Sequence, residues 1–183
     1  MTRRFFTSDF HLCSQKILDG YNRPFKNIDD MNEKIFKMCN SIADSPDDII
    51  IHCGDLFEKP TNLSINPNTY VAGSINANFI NIKGNHDINN KVKSVCSSMR
   101  TTLGKVFPDV SISHYPSNDP RSIHQWLPGD IHLCGHCHNK WKYFIDKTNK
   151  VLNINMCLEV WDYKIVSEEK LIKYITNLLK NTK

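Results

Sequence analysis

The chain places short apolar runs between polar loops, and few of these runs have helical periodicity. Residues 49–51 are three consecutive isoleucines, a β-branched run that is too short for a helix. Similar runs occur at 4–8, 78–83, 110–114 and 130–134. Because strands buried on both faces have this composition, we predict a strand at each position.

Two segments have the spacing of amphipathic helices. In residues 29–43 apolar side chains recur every three or four positions, and acidic residues lie near the positive end of the helix dipole. A final helix is predicted to start at Ser167 and to bury Leu171, Ile172, Ile175 and Leu178 or Leu179. A further helix is predicted over residues 91–100.

The last part of the chain predicts two strands, at 141–145 and 151–156, joined by a turn. Strands that alternate with helices and end in a strand pair indicate a layered α/β fold with a partly mixed sheet. The length of 183 residues is typical of one domain, so we predict a single domain over residues 1–183.

Composition excludes several classes of protein. A hydrophobic fraction of 40% with 23% charged residues is that of a globular chain. No apolar run approaches the ~20 residues that span a bilayer, and the N-terminus lacks the apolar stretch of a signal peptide, so we expect a cytoplasmic protein without membrane contact. Seven cysteines, an odd number, favour reduced thiols.

Polar side chains follow five of the predicted strands. A single aspartate or histidine at a strand end is usually a cap or a hydrogen-bonded loop residue. Here the carboxyl ends, where an open α/β sheet binds its ligand, carry a whole set of oxygen and nitrogen donors. Such donors bind Mn²⁺, Fe²⁺ or Zn²⁺, and the set is Asp9, His11, Asp55, Asn85, His86, His114, His136 and His138.

The order of these groups resembles the calcineurin-like metallophosphoesterase superfamily, and in particular its small bacterial and phage members. The signature of that superfamily reads D-x-H, G-D, G-N-H-D/E, H and G-H-x-H, and this chain has Asp9-Phe10-His11, Gly54-Asp55, Gly84-Asn85-His86-Asp87, His114 and Gly135-His136-Cys137-His138. The resemblance spans about residues 4–163 and includes the closing segment 159–163. It implies mixed β-sheets packed as a sandwich flanked by α-helices.

The resemblance also implies metal-dependent hydrolysis of phosphoesters at two divalent cations, with Mn²⁺ favoured and Fe²⁺, Zn²⁺ or Ni²⁺ also suited to the ligands. A hydroxide that bridges the cations would be the nucleophile. Asp55 would bridge the two sites, which would be completed by Asp9, His11 and His138 on one side and by Asn85, His114 and His136 on the other. Neutral Asn85 keeps the loaded site positive for an incoming phosphate.

Three other residues receive roles by the same resemblance. His86 would contact the phosphate and protonate the leaving oxygen, and Asp87 would orient His86. Arg23, in the segment Asn22-Arg23-Pro24-Phe25, would bind the phosphate, with a solvated loop arginine as the alternative. His52, His124 and His132 lie outside the motifs, so we expect structural roles for them, with His124 as a candidate wall of the cleft.

Two alternatives belong to other classes. Cys134-Gly135-His136-Cys137 is also the C-G-H-C motif of disulfide-exchange enzymes, although those enzymes resemble one another in a later cis-proline, and the last proline here, Pro128, precedes the motif. A non-catalytic metal-binding scaffold is the other alternative, although such members of the superfamily have lost ligands or the acid and this chain retains both.

The substrate expected from the sequence is a small or nucleotide-like phosphodiester, with a phosphomonoester as the alternative. No large insertion covers the strand ends, and an open site admits a diester readily. A net charge of +4 spread over the chain is too dilute for stable binding of duplex nucleic acid. The sequence predicts no oligomeric state.

Overall fold

The structure, a computed structural model, describes residues 2–58, 65–122 and 125–181. Its strands are β1 (Arg4–Thr7), β2 (Ile49–His52), β3 (Asn78–Asn81), β4 (Ser98–Leu103), β5 (Phe107–Ser113), β6 (Ile131–Cys134), β7 (Tyr143–Asp146), β8 (Val151–Asn155) and β9 (Val166–Ser167). Its helices are α1 (Gln15–Gly20), α2 (Ile28–Ile42), α3 (Pro67–Ala72), α4 (Asn85–Asn89) and α5 (Glu168–Asn181), with a 3₁₀ helix at Leu158–Trp161.

The strands form two mixed sheets. The first has the order β3-β2-β1-β9, in which only β9 is antiparallel to its neighbour. The second has the order β4-β5-β6-β8-β7, in which β5, β6 and β8 are parallel and both edge strands are antiparallel. The central strands of both sheets therefore have their carboxyl ends at one edge, which is where the motifs lie.

Apolar side chains pack in two layers on either side of the first sheet. Phe5 and Ile50 face an outer layer that includes Met31 of α2. Their neighbours Phe6 and Ile51 face a layer shared with the second sheet and α5. Adjacent residues of a strand point to opposite faces, so the apolar runs of β1 and β2 serve both layers. The predicted sandwich of mixed sheets flanked by helices is confirmed.

The helix predicted over 91–100 is wrong. The short helix α4 ends at Asn89, and part of the predicted span belongs to strand β4. Strand β4 pairs with β5 through Met99 with Ile112 and Thr101 with Val110. β-branched threonines favour a strand, and the partner strand that stabilises it lies too far along the chain to enter a local pattern.

The two predicted amphipathic helices match the structure more closely. Helix α2 occupies nearly the predicted residues, and α5 begins directly after Ser167, whose hydroxyl accepts a hydrogen bond from the backbone N–H of Lys170 as an N-cap does. Helix α1 lies between β1 and Arg23, in a segment for which the sequence predicts no helix. No helix in the described ranges has both the length and the hydropathy required to cross a membrane.

Candidate metal centre

The carboxyl ends of five strands converge on one site. Asp9 and His11 follow β1, Asp55 follows β2, and Asn85 lies beyond β3 at the start of α4. His114 follows β5, while His136 and His138 follow β6. Backbone hydrogen bonds tie these segments together in pairs: His11 N–H donates to the Asp55 carbonyl at 3.0 Å, and Gly135 N–H donates to the His114 carbonyl at 3.0 Å.

The predicted ligands form two clusters. In the first cluster Asp9, His11 and His138 each offer a ligand atom within 4.8 Å of the others. In the second cluster Asp55, His114 and His136 do the same. Asn85 joins the second cluster because its Oδ1 lies 3.0 Å from Nε2 of His114.

Asp55 belongs to the second cluster but also faces the first. Its Oδ2 is 3.2 Å from Nε2 of His114 and 3.6 Å from Nε2 of His11. Its other oxygen, Oδ1, accepts a hydrogen bond from the backbone N–H of His86 at 2.8 Å. One carboxylate oxygen therefore faces a histidine of each cluster while the other is fixed by the backbone.

His11 provides the test of whether a cation fits. Both of its ring nitrogens are buried, and neither makes a hydrogen bond to any residue that the structure describes. Its Nε2 lies 3.6 Å from Oδ1 of Asp9 and 3.6 Å from Oδ2 of Asp55. A buried polar atom without a partner is costly, and a divalent cation among these carboxylate oxygens would satisfy it. The donor set therefore fits a metal ion.

Five of the predicted ligands have left-handed backbone conformations. The φ angles are 57° for Asp9, 47° for His11, 59° for Asp55, 68° for His136 and 46° for His138. Non-glycine residues seldom have positive φ, although aspartate and histidine tolerate it better than most. Each such residue costs on the order of 1–3 kcal/mol, and strain of this kind clusters at functional sites. The fold maintains this strain where the ligands converge.

Two glycines of the motifs are required by close approach. A Cβ atom at Gly84 would overlap the backbone nitrogen and a carboxylate oxygen of Asp55. A Cβ atom at Gly135 would overlap the side chains of Ser8 and Asp9. These neighbours are buried and cannot move away. Glycine therefore lets two loops of the first sheet approach each other at Asp55, and lets a loop of the second sheet approach the first at Asp9.

Hydrogen bonds outside the clusters orient two of the histidines. Nδ1 of His138 lies 3.0 Å from Oε1 of Glu159, which directs its Nε2 towards Asp9. Nδ1 of His114 donates to the Cys53 carbonyl at 3.0 Å, which directs its Nε2 towards Asp55. Partners of this kind fix the tautomer and ring orientation of metal-binding histidines.

The structure corrects the prediction for Arg23. Its side chain is completely buried, so it is neither a solvated loop arginine nor placed to bind a phosphate. Its guanidinium donates to the backbone carbonyls of Asp9 and Phe10 at 2.6 Å each and forms a 2.7 Å ion pair with Glu159. A buried charge is costly unless it is paired and hydrogen-bonded, and Glu159 and the two carbonyls meet this requirement for Arg23. The paired guanidinium supports the strained loop that carries Asp9.

The structure also corrects the role of Asp87. Its buried carboxylate accepts hydrogen bonds from the backbone N–H groups of Asp55, Leu56 and Gly84 at 3.1, 2.9 and 2.8 Å. Gly84 is the N-cap of α4, so this bond satisfies the backbone donor of the N-cap residue. Asp87 therefore holds the loop of Asp55 and does not orient His86.

His86 lies at the open side of the centre. Its side chain is 31% exposed, and its Nε2 is 4.0 Å from Oδ2 of Asp55. The acidic group nearest its Nδ1 is the carboxylate of Glu58, at 3.9 Å. Its ring packs edge-on against that of His11, with ring centroids 4.9 Å apart. His86 is therefore placed to meet a molecule that enters the site.

Charges within the clusters shift several pKa values. Burial alone would raise the pKa of Asp9, but His11, His114 and His138 hold it well below its usual value. Burial would lower the pKa of His114, but Asp55 and Asp9 raise it to about 9. Burial and repulsion from His114 lower the pKa of His136 to about 4. The free site therefore contains ionised carboxylates, a charged His114 and a neutral His136 at neutral pH.

Metal binding should be linked to proton release from His114. Only the neutral imidazole binds a metal, so a cation must displace the proton that the free protein holds below about pH 9. We expect the affinity for Mn²⁺ to rise by about tenfold for each pH unit from 6.5 to 8.5. Titration calorimetry across this range would measure the slope, and an affinity independent of pH would contradict the role of His114.

The remaining histidines and cysteines have structural environments. His52 hydrogen-bonds to Asn81 at 2.8 Å, and His132 lies 2.9 Å from the Ser111 hydroxyl, both in buried positions. His124 lies outside the described residues. Cys134 and Cys137 are unpaired, and burial raises the pKa of Cys137 to about 12, so a reactive thiolate at neutral pH is disfavoured. This argues against disulfide exchange.

Sequence reasoning missed three residues around the centre. Glu159 was noted only as part of a closing segment, yet it contacts both His138 and Arg23. Glu58 lies beside His86, and Arg121 lies 2.9 Å from Nε2 of His136. The only signal for Glu159 in the sequence is that the family resemblance includes the closing segment 159–163. Glu58 and Arg121 belong to none of the motifs, and only the folding of the chain brings them close to the site.

Comparison with known proteins adds two relatives over almost the whole chain. The protein MJ1445 of Methanocaldococcus jannaschii is 26% identical over 176 residues, which cover 96% of this chain and 92% of that protein. The crystal structure of AQ665 from Aquifex aeolicus, described as a protein of unknown function, is 22% identical and has a TM-score of 0.69. It covers 95% of this chain and 100% of its own, which supports the fold.

A further solved structure is more distant. YfcE, a phosphoesterase from E. coli, is 15% identical with a TM-score of 0.45 and covers 84% of this chain and 78% of its own, too little similarity to compare sites. The decisive match is to a family: residues 2–176 match the calcineurin-like phosphoesterases. This range includes every predicted ligand. The chain therefore belongs to the calcineurin-like phosphoesterase family, which implies metal-dependent hydrolysis of phosphoester bonds.

Proposed function

We propose that the chain hydrolyses phosphodiesters of small or nucleotide-like substrates at a dinuclear metal site. The observation that carries this proposal is the position of Asp55, whose Oδ2 faces His114 at 3.2 Å and His11 at 3.6 Å. A carboxylate between two separate donor clusters is suited to two cations that share it. In the first site we place Asp9, His11, Asp55 and His138, and in the second Asp55, Asn85, His114 and His136.

When bound, two such cations supply the positive charge that attracts a phosphoryl group and lower the pKa of the water that attacks it. The chain supplies the remaining parts of the reaction. His138 is held by Glu159 and His114 by the Cys53 carbonyl, so that both present Nε2 to the centre. His86, on the open side, would donate a proton to the leaving oxygen.

Exposure supports a diester more than one particular small monoester. The carboxylates of Asp9 and Asp55 and the ring of His114 are buried, whereas Asn85, His86 and His136 are only half-buried. The centre therefore opens to solvent along one side. An open cleft accepts an ester arm on each side of the phosphorus, whereas selection of one small monoester requires an enclosing pocket.

The test compares bis(4-nitrophenyl) phosphate with 4-nitrophenyl phosphate as substrates. Protein stripped with a chelator and reloaded with Mn²⁺ is expected to cleave the diester with the higher kcat/KM, and stripped protein is expected to cleave neither. Faster cleavage of the monoester would favour a phosphomonoesterase. Cleavage of neither ester by protein that holds two metals would contradict the proposed hydrolysis and favour a metal-binding scaffold.

A further inference from the structure

A cavity of about 250 Å³ opens beside the metal centre, and the proposed reaction does not use it. Gly84 and Asn85 form part of its wall. Arg121 also lines it, and one nitrogen of this guanidinium lies 2.9 Å from Nε2 of His136. The cavity therefore adjoins the second donor cluster, on the side where Asn85 and His136 are half-buried.

Arg121 is held in place at this cavity. Its Nε and Nη2 donate to the two carboxylate oxygens of Asp119 at 2.8 and 2.7 Å. Its guanidinium carbon lies 4.1 Å from the ring centroid of Tyr115, another lining residue. The side chain nevertheless remains 51% exposed. A cation fixed in this way loses little conformational entropy when it binds an anion, which favours affinity.

The rest of the lining combines charge with apolar surface. Lys83, an exposed residue, contributes a second cation, while Ile88 is 61% exposed and Tyr115 contributes an aromatic side chain. Among the described residues that line the cavity, two are cationic and none is acidic, and Asp119 outside the lining already pairs with Arg121, which leaves a net charge of +1 for these three groups. This composition fits a short organic group that carries a negative charge.

We infer that this cavity, here named the anion cleft and defined by Lys83, Asn85, Ile88, Tyr115 and Arg121, binds a second anionic group of the substrate. The inference rests on the proposed function, because it assumes that the reacting phosphoryl group occupies the metal centre next door. The substrate class is then a phosphoester with a further carboxylate or phosphate on one of its arms. Such an arm would pair its charge with Lys83 and Arg121 and cover Ile88.

The test uses two ligands that cannot be hydrolysed, phenylphosphonate and 3-carboxyphenylphosphonate, titrated by calorimetry into Mn²⁺-loaded protein. We expect the carboxylated compound to bind about tenfold more tightly, because its extra charge gains a charge-assisted hydrogen bond. Lys83→Met and Arg121→Met are each expected to reduce this ratio. Lys105→Met removes a charge from an exposed residue that does not line the cleft and is expected to preserve it.

Equal affinities for the two phosphonates in the wild-type protein would overturn the anion cleft, as would a tenfold ratio that both variants retain. Failure of both compounds to bind would overturn it as well. Because no bond is cleaved in this assay, its result is separate from turnover. A protein that binds with the expected ratio but hydrolyses no ester refutes the proposed reaction alone, whereas diester cleavage with equal affinities refutes the anion cleft alone.

Discussion

Replacement of Asp55 by asparagine is expected to remove both metals and, with them, the hydrolysis of phosphoesters. The substitution keeps the size of the side chain but removes the negative charge from the oxygen that faces His11 and His114. Removal of a residue that hydrogen-bonds to a metal ligand lowers the metal affinity by about 10–100-fold. Removal of the charge of a ligand that both cations share should therefore lower the affinity of each site by about 100-fold or more. Elemental analysis after dialysis would count the bound ions.

The fold should survive this change. Asparagine tolerates the left-handed conformation at this position, and its carbonyl oxygen can still accept the hydrogen bond from the backbone of His86. Asp47→Asn is the matched control, because it makes the same change at an exposed residue in the turn before β2. Two ions retained by Asp55→Asn would show that Asp55 does not bridge the sites.

The convergence of the candidate ligands was predictable because of where strands end. The predicted ligands lie at or shortly after the ends of apolar runs, and parallel strands bring their carboxyl ends to one edge regardless of the details of packing. Asp9, His11, Asp55, His114 and His136 therefore come together in the structure as the motif order suggested. The helix α2 was equally predictable, because its apolar stripe is a local pattern.

The supporting residues were not predictable because their partners are distant in sequence. Arg23 and Glu159 are separated by 136 positions and meet only after both sheets have formed. Asp87 lies next to His86 in the motif, yet the turn of α4 directs its carboxylate to the backbone of Asp55 and Leu56. Because Asp87 is adjacent to His86, the sequence suggested a hydrogen bond between their side chains, but the geometry of the helix turn points the two side chains in different directions.

Strand β4 illustrates the same limit for the fold. Its residues contain too few alternating apolar positions to predict a strand. Its contacts are with a distant part of the chain, such as the ion pair of Arg100 with Asp109 on the neighbouring strand β5. An edge strand takes its conformation from the partner to which it hydrogen-bonds, so propensity is a weak guide there. The left-handed conformations of the ligands are likewise imposed by the converging loops, and no residue pattern predicts them.

The second large effect is expected for His86→Ala, which should lower turnover by about 10²–10⁴-fold while both metals remain bound. The side chain of His86 lies 4.0 Å from Asp55. It forms a third group of possible ligands with His11 and Glu58, but it belongs to neither of the two clusters in which we place the cations. Its backbone N–H, which holds Asp55, is unaffected by the change. Asn89→Ala, at an exposed position of the same helix, is the matched control.

The identity of the leaving group separates proton donation from simple binding. A good leaving group such as 4-nitrophenolate departs without protonation, whereas an alkoxide requires a proton in the transition state. If His86 donates that proton, His86→Ala should slow cleavage of a methyl or nucleoside diester much more than cleavage of bis(4-nitrophenyl) phosphate. Equal losses of kcat on both substrates would instead indicate that His86 stabilises the phosphoryl group in the transition state, and a higher KM with unchanged kcat would indicate binding that is equal in the ground state and the transition state. Comparison of kcat for the two substrates, at equal metal content, therefore assigns the role of this side chain.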